Sequence, residues 1–381
     1  MKNGTIPHHV SEFWTAKQRQ ACSLHEVSYR ACFKPQLPRY FIDRYTKRGD
    51  VVYDPFTGRG TTIIEAALCG RHVISNDVNP LSRILTEPRL SVPTADEVSD
   101  RLDSISFPSN LHANIDLSMF YHPDTESEIV SLQQYLRQRR VDGTEDFIDR
   151  WIRMVATNRL TGHSPGFFSV YTLPPNQATT QEQQKRINEK RKQHPAYRPI
   201  RAIILKKSRQ LMKELTEEQR ENISEAAKRA IFLTGDASAT KQIADASVQL
   251  TVTSPPFLDI VNYSADNWLR CWFNAIDDRA VAKGITVTSK LDVWCTVMGG
   301  VMQELFRITQ KEGWVAFEVG ELRKGTVKLE EQVIPLAQAA GFRPTEVLIN
   351  SQKFTKTANI WGIDNNTAGT NTNRIVVLLK Q

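Results

Sequence analysis

The sequence has 381 residues, of which 40% are hydrophobic and 24% charged, so it can bury a large core and is typical of a soluble enzyme. It contains no apolar run of the roughly 18 residues that cross a bilayer and no apolar leader at its N-terminus, so we expect a cytoplasmic protein without a membrane partner. The five cysteines form no CxxC pair, which argues against a zinc ribbon or a disulfide framework.

The net charge of +7 is concentrated in one segment. Residues 181–213 contain eleven lysines and arginines against two glutamates, a local net charge of +9. The rest of the chain is therefore close to neutral. This concentration predicts a polyanionic partner, and a solvated helix face is the alternative interpretation.

Residues 50–77 predict a strand, a glycine loop, a helix and a second strand. The loop reads Asp54-Pro55-Phe56-Thr57-Gly58-Arg59-Gly60-Thr61-Thr62. Thr61 or Thr62 can cap the helix, and Gly70 is expected to end it. The second strand covers 72–77 and ends in the carboxylate of Asp77.

This unit has the features of a nucleotide site. Gly58 and Gly60 allow a tight turn and let a ligand approach the backbone amides at the helix N-terminus. Asp77 follows Gly58 by 19 residues, where a doubly wound nucleotide site has its ribose-binding acid. The loop lacks both the lysine of a P-loop and the third glycine of a dinucleotide site.

From residue 79 to about 227 the strand pattern is interrupted. Capping and periodicity predict helices at 94–105, 124–140, 145–160, 199–215 and one that opens at 216, with a turn-rich stretch over 158–180.

The strand pattern resumes at 230–236, which ends in a second acid, Asp236. A strand at 248–253 then leads into Ser254-Pro255-Pro256-Phe257. Two successive prolines cannot continue a sheet, so the backbone must leave it as a stiff turn at the carboxyl end of a strand, where open α/β sheets bind ligands. A hydroxyl, free carbonyl groups and an aromatic ring suit an exocyclic amine on a planar ring.

The last hundred residues again alternate between the two element types. We predict helices at 261–275, 293–310 and 329–340, strands at 314–319, 344–348 and 374–379, and a polar loop at 352–372. The fold class is therefore α/β, one sheet interrupted by a helical insertion.

With both flanks considered, the arrangement resembles the S-adenosylmethionine-dependent DNA amino-methyltransferases of the N4-cytosine/N6-adenine group. Residues 54–62 look like their cofactor loop, 234–237 like their acid strand and 253–257 like their catalytic tetrapeptide. The resemblance implies a Rossmann-like methyltransferase sheet with helices on both faces. Its parts would be 1–90 with the cofactor motifs, 91–228 as a basic insertion for target recognition, and 229–381 with the catalytic motif. One departure is that the insertion precedes the acid strand.

The resemblance also implies a role for each motif residue. The S-adenosylmethionine site would comprise Phe33, Asp54, Pro55, Phe56, Gly58, Gly60, Thr61, Asp77 and Asp236. The catalytic turn would comprise Ser254, Pro255, Pro256 and Phe257. Ser254 and the Pro255 carbonyl would accept hydrogen bonds from the target amine, while Phe257 would stack on a flipped base. This chemistry requires no metal.

The implied partner is double-stranded DNA, and the resemblance allows a cognate restriction endonuclease as well. The candidate DNA-binding residues are Arg159, Lys190, Arg191, Lys192, Arg201, Lys206 and Lys207, and the stretch 158–171 is a candidate base-reading loop. Ser-Pro-Pro-Phe favours N4 of cytosine as the target. The alternatives are N6 of adenine, a base in RNA, and an inactive DNA-binding module.

Overall fold

The structure is a computed structural model that describes residues 6–13, 21–29, 32–173, 179–256, 263–285, 288, 290–322, 327–351 and 372–381. Its strands are β1 (His8–Ser11), β2 (Val51–Asp54), β3 (His72–Asp77), β4 (Ile231–Thr234), β5 (Val248–Thr253), β6 (Thr309–Val319), β7 (Glu321–Leu322), β8 (Val327–Lys328), β9 (Arg343–Ser351) and β10 (Thr372–Leu379).

Eight of these strands form one sheet in the order β1-β9-β10-β6-β5-β2-β3-β4, and β7 and β8 form a separate hairpin. Strand β10 is antiparallel to both of its neighbours, and the other pairs in the large sheet are parallel. The chain adds β3 and β4 on one side of β2, then returns to place β5 and β6 on the other. The winding therefore reverses between β2 and β5, which is where a doubly wound sheet forms its ligand crevice.

The described helices are α1 (Gln36–Tyr45), α2 (Thr61–Leu68), α3 (Leu81–Thr86), α4 (Ala95–Ser104), α5 (Pro123–Val141), α6 (Phe147–Thr157), α7 (Gln181–Arg191), α8 (Ile200–Met212), α9 (Glu217–Ala227), α10 (Tyr263–Phe273), α11 (Asp278–Gly284), α12 (Leu291–Ile308) and α13 (Glu330–Ala340). Capping boxes at Thr94 and Thr216 begin α4 and α9 as predicted. The predicted fold class, α/β with a Rossmann-like sheet, is confirmed.

Two hydrophobic clusters cover the two faces of the sheet. Successive strand residues point to opposite faces, so Val52 packs with α1 and α2 while Tyr53 packs with α12 and α13. Trp151 of α6 and Ile204 of α8 belong to the first cluster. The insertion helices therefore share a core with the α2 face of the sheet. The boundaries 1–90, 91–228 and 229–381 stay a prediction.

One local prediction was wrong, and one helix was missed. Helix α2 is not capped by a threonine side chain. Its N-cap is Gly60, in the left-handed region, while Thr62 donates its hydroxyl to the Val252 carbonyl and Thr61 accepts from Arg59. Helix α7 was missed because it is polar on all sides, with only Gln184 buried, and so has no apolar periodicity.

Several short or edge elements were also missed: α11, β1 and the β7–β8 hairpin. The predicted loop at 352–372 lies outside the described residues except for its last position. Within the described ranges, no helix has the length and apolar character needed to cross a membrane.

Candidate active site

One cavity lies at the carboxyl ends of β2, β3, β4 and β5. It is lined by ten of the predicted site residues: Phe33, Asp54, Phe56, Gly58, Thr61, Asp77, Asp236, Ser254, Pro255 and Pro256. Pro55 and Gly60 belong to the loop but do not line the cavity, and Phe257 lies outside the described residues. The structure therefore brings the predicted cofactor loop and the predicted catalytic turn to one place.

Asp54 is the most deeply placed acid of this cavity, with 1% of its surface exposed. Its Oδ1 accepts a hydrogen bond from the Thr253 hydroxyl at 2.6 Å and one from the Phe56 backbone N–H at 3.2 Å. Burial raises the pKa of Asp54 to about 7, although the hydrogen bond from Thr253 opposes that shift. A cation in the cavity would favour the ionised form of this carboxyl.

Asp77 holds the glycine loop. Its Oδ2 accepts from the Gly58 backbone N–H at 2.8 Å, and its Oδ1 accepts from the Asn79 backbone N–H at 2.9 Å. Burial raises the pKa of Asp77 to about 6, and these two hydrogen bonds limit the shift. Asp77, which is predicted to bind ribose hydroxyls, thus holds the Gly58 peptide in this structure. Sequence analysis did not indicate this second contact.

Gly60 is required by both conformation and space. Its φ is +81°, and a Cβ at this position would lie 2.5 Å from side-chain atoms of Thr86. A larger residue would push the loop away from α3.

Asp236 lines the cavity, and Asn76 supports the loops beside it. The Ser238 backbone N–H and hydroxyl donate to Asp236 Oδ1 at 2.8 and 2.9 Å, which fixes the orientation of this exposed carboxylate. The buried Asn76 side chain donates to the Gly235 carbonyl at 3.0 Å and to the Pro55 carbonyl at 3.3 Å. It connects the loops that follow β2 and β4, and sequence analysis missed it.

One face of α12 forms an apolar wall of the cavity. Trp294, Val297, Met298 and Val301 line it at the i, i+3, i+4, i+7 spacing of a single helix face. This periodicity is visible in the sequence, but it cannot tell a ligand-facing stripe from an ordinary core stripe.

Tyr29 is another cavity residue that sequence analysis missed. It lies four positions before Phe33, and both residues line the cavity. A Cβ on Gly58 would lie 3.7 Å from the Tyr29 ring, so the ring covers the glycine loop.

The backbone just before Tyr29 is held by side chains from three distant parts of the chain. Asn158 accepts from the Ser28 N–H at 3.0 Å and donates to the Ser28 carbonyl at 2.9 Å. Arg270 donates to the same carbonyl at 3.1 Å, and Arg59 donates to the Val27 carbonyl at 3.0 Å. The segment between β3 and β4 thus supports the cavity indirectly, because Asn158 holds the backbone that leads into Tyr29.

Five of the seven predicted DNA-binding residues are at least partly exposed. Lys190, Lys192 and Lys206 are exposed. Arg191 is exposed and has its guanidinium 3.7 Å from the ring centroid of Tyr171. Arg201 is half-buried, 4.4 Å from the ring centroid of Phe107.

The other two basic residues require a correction. Arg159 is 8% exposed, lies 4.0 Å from the Phe167 ring centroid and donates to the Asn158 carbonyl. Lys207 is 7% exposed and donates to Glu26 at 3.2 Å, and burial lowers the pKa of Lys207 to about 8. Neither side chain belongs to the exposed basic surface, because each faces the fold rather than solvent.

The candidate base-reading loop is also more buried than its aromatic composition indicates. Phe167 and Phe168 are 5% and 1% exposed, so their rings serve the core rather than a base. The exposed part of the loop is its tip at 163–166.

Part of this chain is similar to known proteins. Residues 4–82 match a family model, N6_N4_Mtase, that is described as DNA methylase. The resemblance to the amino-methylating DNA methyltransferases is confirmed. Type II methyltransferase M.MjaII of Methanocaldococcus jannaschii is 37% identical over 62 residues, and Type II methyltransferase M.BsoBI of Geobacillus stearothermophilus is 35% identical over 69 residues.

These matches are local. They cover 16% and 18% of this chain and span only 12% and 14% of the two relatives' own lengths. Among solved structures, the rRNA methyltransferase aviRa from Streptomyces viridochromogenes is 12% identical and covers 96% of this chain and 93% of its own, with a TM-score of 0.38. A structural similarity at this TM-score does not support any statement about function.

The raised pKa of Asp54 predicts a cost in stability. Its carboxyl titrates near 7 in the folded chain and near 3.8 when unconstrained, so the folded state binds more protons between these values and stability falls as pH rises from about 4 to about 7. Full ionisation corresponds to a destabilisation of roughly 4 kcal/mol at most.

The variant Asp54→Asn tests this cost, because it cannot ionise but keeps an oxygen for the Thr253 hydroxyl. We expect the ligand-free variant to melt at a higher temperature than the wild type at pH 8, with the difference narrowing towards pH 4, in calorimetric scans. A lower melting temperature at pH 8 would contradict this account of Asp54.

Proposed function

We propose that this protein is a DNA methyltransferase that uses S-adenosylmethionine to methylate the exocyclic amine of a flipped base, with N4 of cytosine as the favoured target. The observation that carries the proposal is the hydrogen bond between Thr253 and Asp54. It joins the cofactor loop to the residue immediately before Ser254. A cofactor held by that loop would therefore lie beside the turn that receives the base.

The cavity fits S-adenosylmethionine in charge and in hydrogen-bonding capacity. The carboxyls of the buried Asp54 and the half-buried Asp77 have raised pKa values, so a cationic, hydroxyl-bearing ligand would favour their ionised forms. In the proposed arrangement Asp54 binds the methionine part, Asp77 accepts from the ribose hydroxyls and Asp236 accepts from the adenine amine. When bound, this cofactor supplies an electrophilic methyl group on a sulfonium.

The protein's own contribution to the reaction is orientation. The lone pair of an exocyclic amine is delocalised into the base ring, which makes it a poor nucleophile. The Ser254 hydroxyl and the Pro255 carbonyl, as hydrogen-bond acceptors, would draw the amine towards tetrahedral geometry. Correct alignment of two reacting atoms about 3 Å apart can supply several kcal/mol of the barrier reduction. Both N4 of cytosine and N6 of adenine are suited to these acceptors.

The proposed DNA surface includes the C-terminal end of α7, with Lys190 and Lys192. The indole N–H of Trp268, on the helix that follows the catalytic motif, donates to the Thr179 carbonyl at 3.1 Å, just before α7. This contact connects the basic helix to the part of the chain that follows Ser254. A DNA substrate, which the match to the DNA methylase family model favours, is compatible with this exposed basic surface.

The first test is product analysis. We expect incubation with S-adenosylmethionine and unmethylated genomic DNA to yield N4-methylcytosine in nucleoside mass spectrometry. Ser254→Ala should lower turnover roughly 10- to 100-fold, the cost of one hydrogen bond to the reacting group, with cofactor affinity nearly unchanged. Asp77→Ala should instead weaken cofactor binding first.

Detection of N6-methyladenine instead would support the same mechanism with adenine as the target base. A methylated base only in RNA would favour the RNA alternative, and no product with either substrate would favour the inactive binding module. Equal loss of cofactor affinity in Ser254→Ala and Asp77→Ala would contradict the assigned roles.

Asn158 provides a test of the link between the insertion and the cofactor. Asn158→Ala leaves the Ser28 N–H and carbonyl without this partner, so Tyr29 loses its support and S-adenosylmethionine affinity should fall about tenfold in titration calorimetry. Asn222→Ala is the matched control, because Asn222 is equally buried and donates to the Leu68 carbonyl, away from the cavity. The idea fails if both variants lose affinity equally.

The basic surface can be tested by charge reversal. We expect Lys190→Glu with Lys192→Glu to weaken DNA binding at every sequence and to reduce the slope of log affinity against log salt by about 2. Lys228→Glu with Lys311→Glu makes the same charge change at exposed positions before β4 and near the start of β6, away from the carboxyl edge. Equal effects of the two pairs on the salt slope would remove the basis for a DNA surface at α7.

A further inference from the structure

Trp294 contacts the catalytic turn without belonging to any of the motifs. It lies in the first turn of α12, is 1% exposed and lines the cavity. Its indole Nε1–H donates to the Pro256 carbonyl at 3.2 Å. It therefore connects α12 to the middle of Ser-Pro-Pro-Phe.

The conformation of this turn has few degrees of freedom. The rings fix φ at Pro255 and at Pro256, and ψ of Pro255 is restricted because it precedes a proline. Within the proline pair, the soft dihedral that remains is ψ of Pro256. That angle decides where the Pro256 carbonyl points.

The Trp294 hydrogen bond acts on this remaining angle. Holding the Pro256 oxygen at 3.2 Å from a buried indole selects one value of ψ. We propose that Trp294 is the positioning residue of the catalytic turn, because its hold on the Pro256 carbonyl anchors the turn that carries the acceptors at Ser254 and Pro255. This inference rests on the proposed function, since it assigns Trp294 a task within that reaction.

A matched control is available in the insertion. Trp151 is also fully buried, and its indole N–H donates to the Ser208 hydroxyl at 3.0 Å. Trp151 does not line the cavity. Trp294→Phe and Trp151→Phe therefore remove the same group from equally buried sites, but only one of them faces the catalytic turn.

The experiment measures turnover, S-adenosylmethionine affinity and the fluorescence of 2-aminopurine placed at the target position of the DNA. We expect Trp294→Phe to lower kcat about 10- to 100-fold, because small misplacements of aligned groups cost about this much. Its cofactor Kd should stay within about threefold of wild type, since the aromatic wall remains. The 2-aminopurine signal should change relative to wild type, and Trp151→Phe should match wild type in all three readouts.

The proposal is overturned if Trp294→Phe retains wild-type kcat, or if its cofactor affinity falls by the same factor as its kcat. A separate readout does not need activity. The indole N–H resonance that Trp294→Phe removes should exchange slowly with solvent in the wild-type protein, and fast exchange would overturn the hydrogen bond itself. A wild-type protein that methylates no nucleic acid would instead refute the proposed function.

Discussion

The hydrogen bond between Asp54 and Thr253 is the constraint on which the site depends. It joins the ends of β2 and β5, the two strands between which the winding of the sheet reverses. A crevice at this point is a property of the topology, since adjacent connections leave to opposite faces. The chain has an acid at the end of one strand and a hydroxyl at the end of the other. The two strand ends that border the crevice are therefore joined by a hydrogen bond.

This connection requires ionisable groups to be removed from solvent, which costs free energy of folding. Asp54 is buried and Asp77 half-buried, and desolvation raises the pKa of both carboxyls. Burial likewise lowers the pKa of Arg89 to about 9. Arg89 donates to the carbonyls of Leu24, Leu85 and Arg59, so it holds the N-terminal segment and the glycine loop to α3. The glycine loop thus contains a buried acid, Asp54, and is held by a buried base, Arg89, and such perturbed groups are typical of a site organised for a ligand.

Much of this arrangement could be predicted from the sequence because it is local. The strand–loop–helix–strand unit around Asp54 and Asp77 depends on periodicity, glycines and short spacing, and the structure reproduces it. The proline turn after β5 is equally local, since two prolines leave the backbone little choice. Ten of the predicted site residues therefore line one cavity.

What could not be predicted depends on contacts between distant residues. Asn158 holds the backbone before Tyr29 through a contact between residues 130 positions apart. Trp294 comes from a different element than the turn it contacts at Pro256, and Tyr29 lies in a segment without a regular helix or strand. Arg159, in the turn-rich stretch, and Lys207, in the basic segment, looked like DNA contacts because residue type and local composition do not reveal burial. Helix α7 was missed because a helix without an apolar face has no periodic signal. In each case, tertiary packing decided an outcome that residue type and spacing left open.

The most direct test of the central claim is the number of protons released when S-adenosylmethionine binds. Calorimetric titrations at pH 6.5 in two buffers of different ionisation enthalpy give this number. Asp54, with a pKa of about 7, is mostly protonated before binding, and a cation beside it should drive its ionisation. The account predicts release of more than about half a proton by the wild type and clearly less by Asp54→Asn. Binding with no net proton release, or with equal release by both proteins, would contradict the role of Asp54 as the acid that joins the cofactor to the catalytic strand.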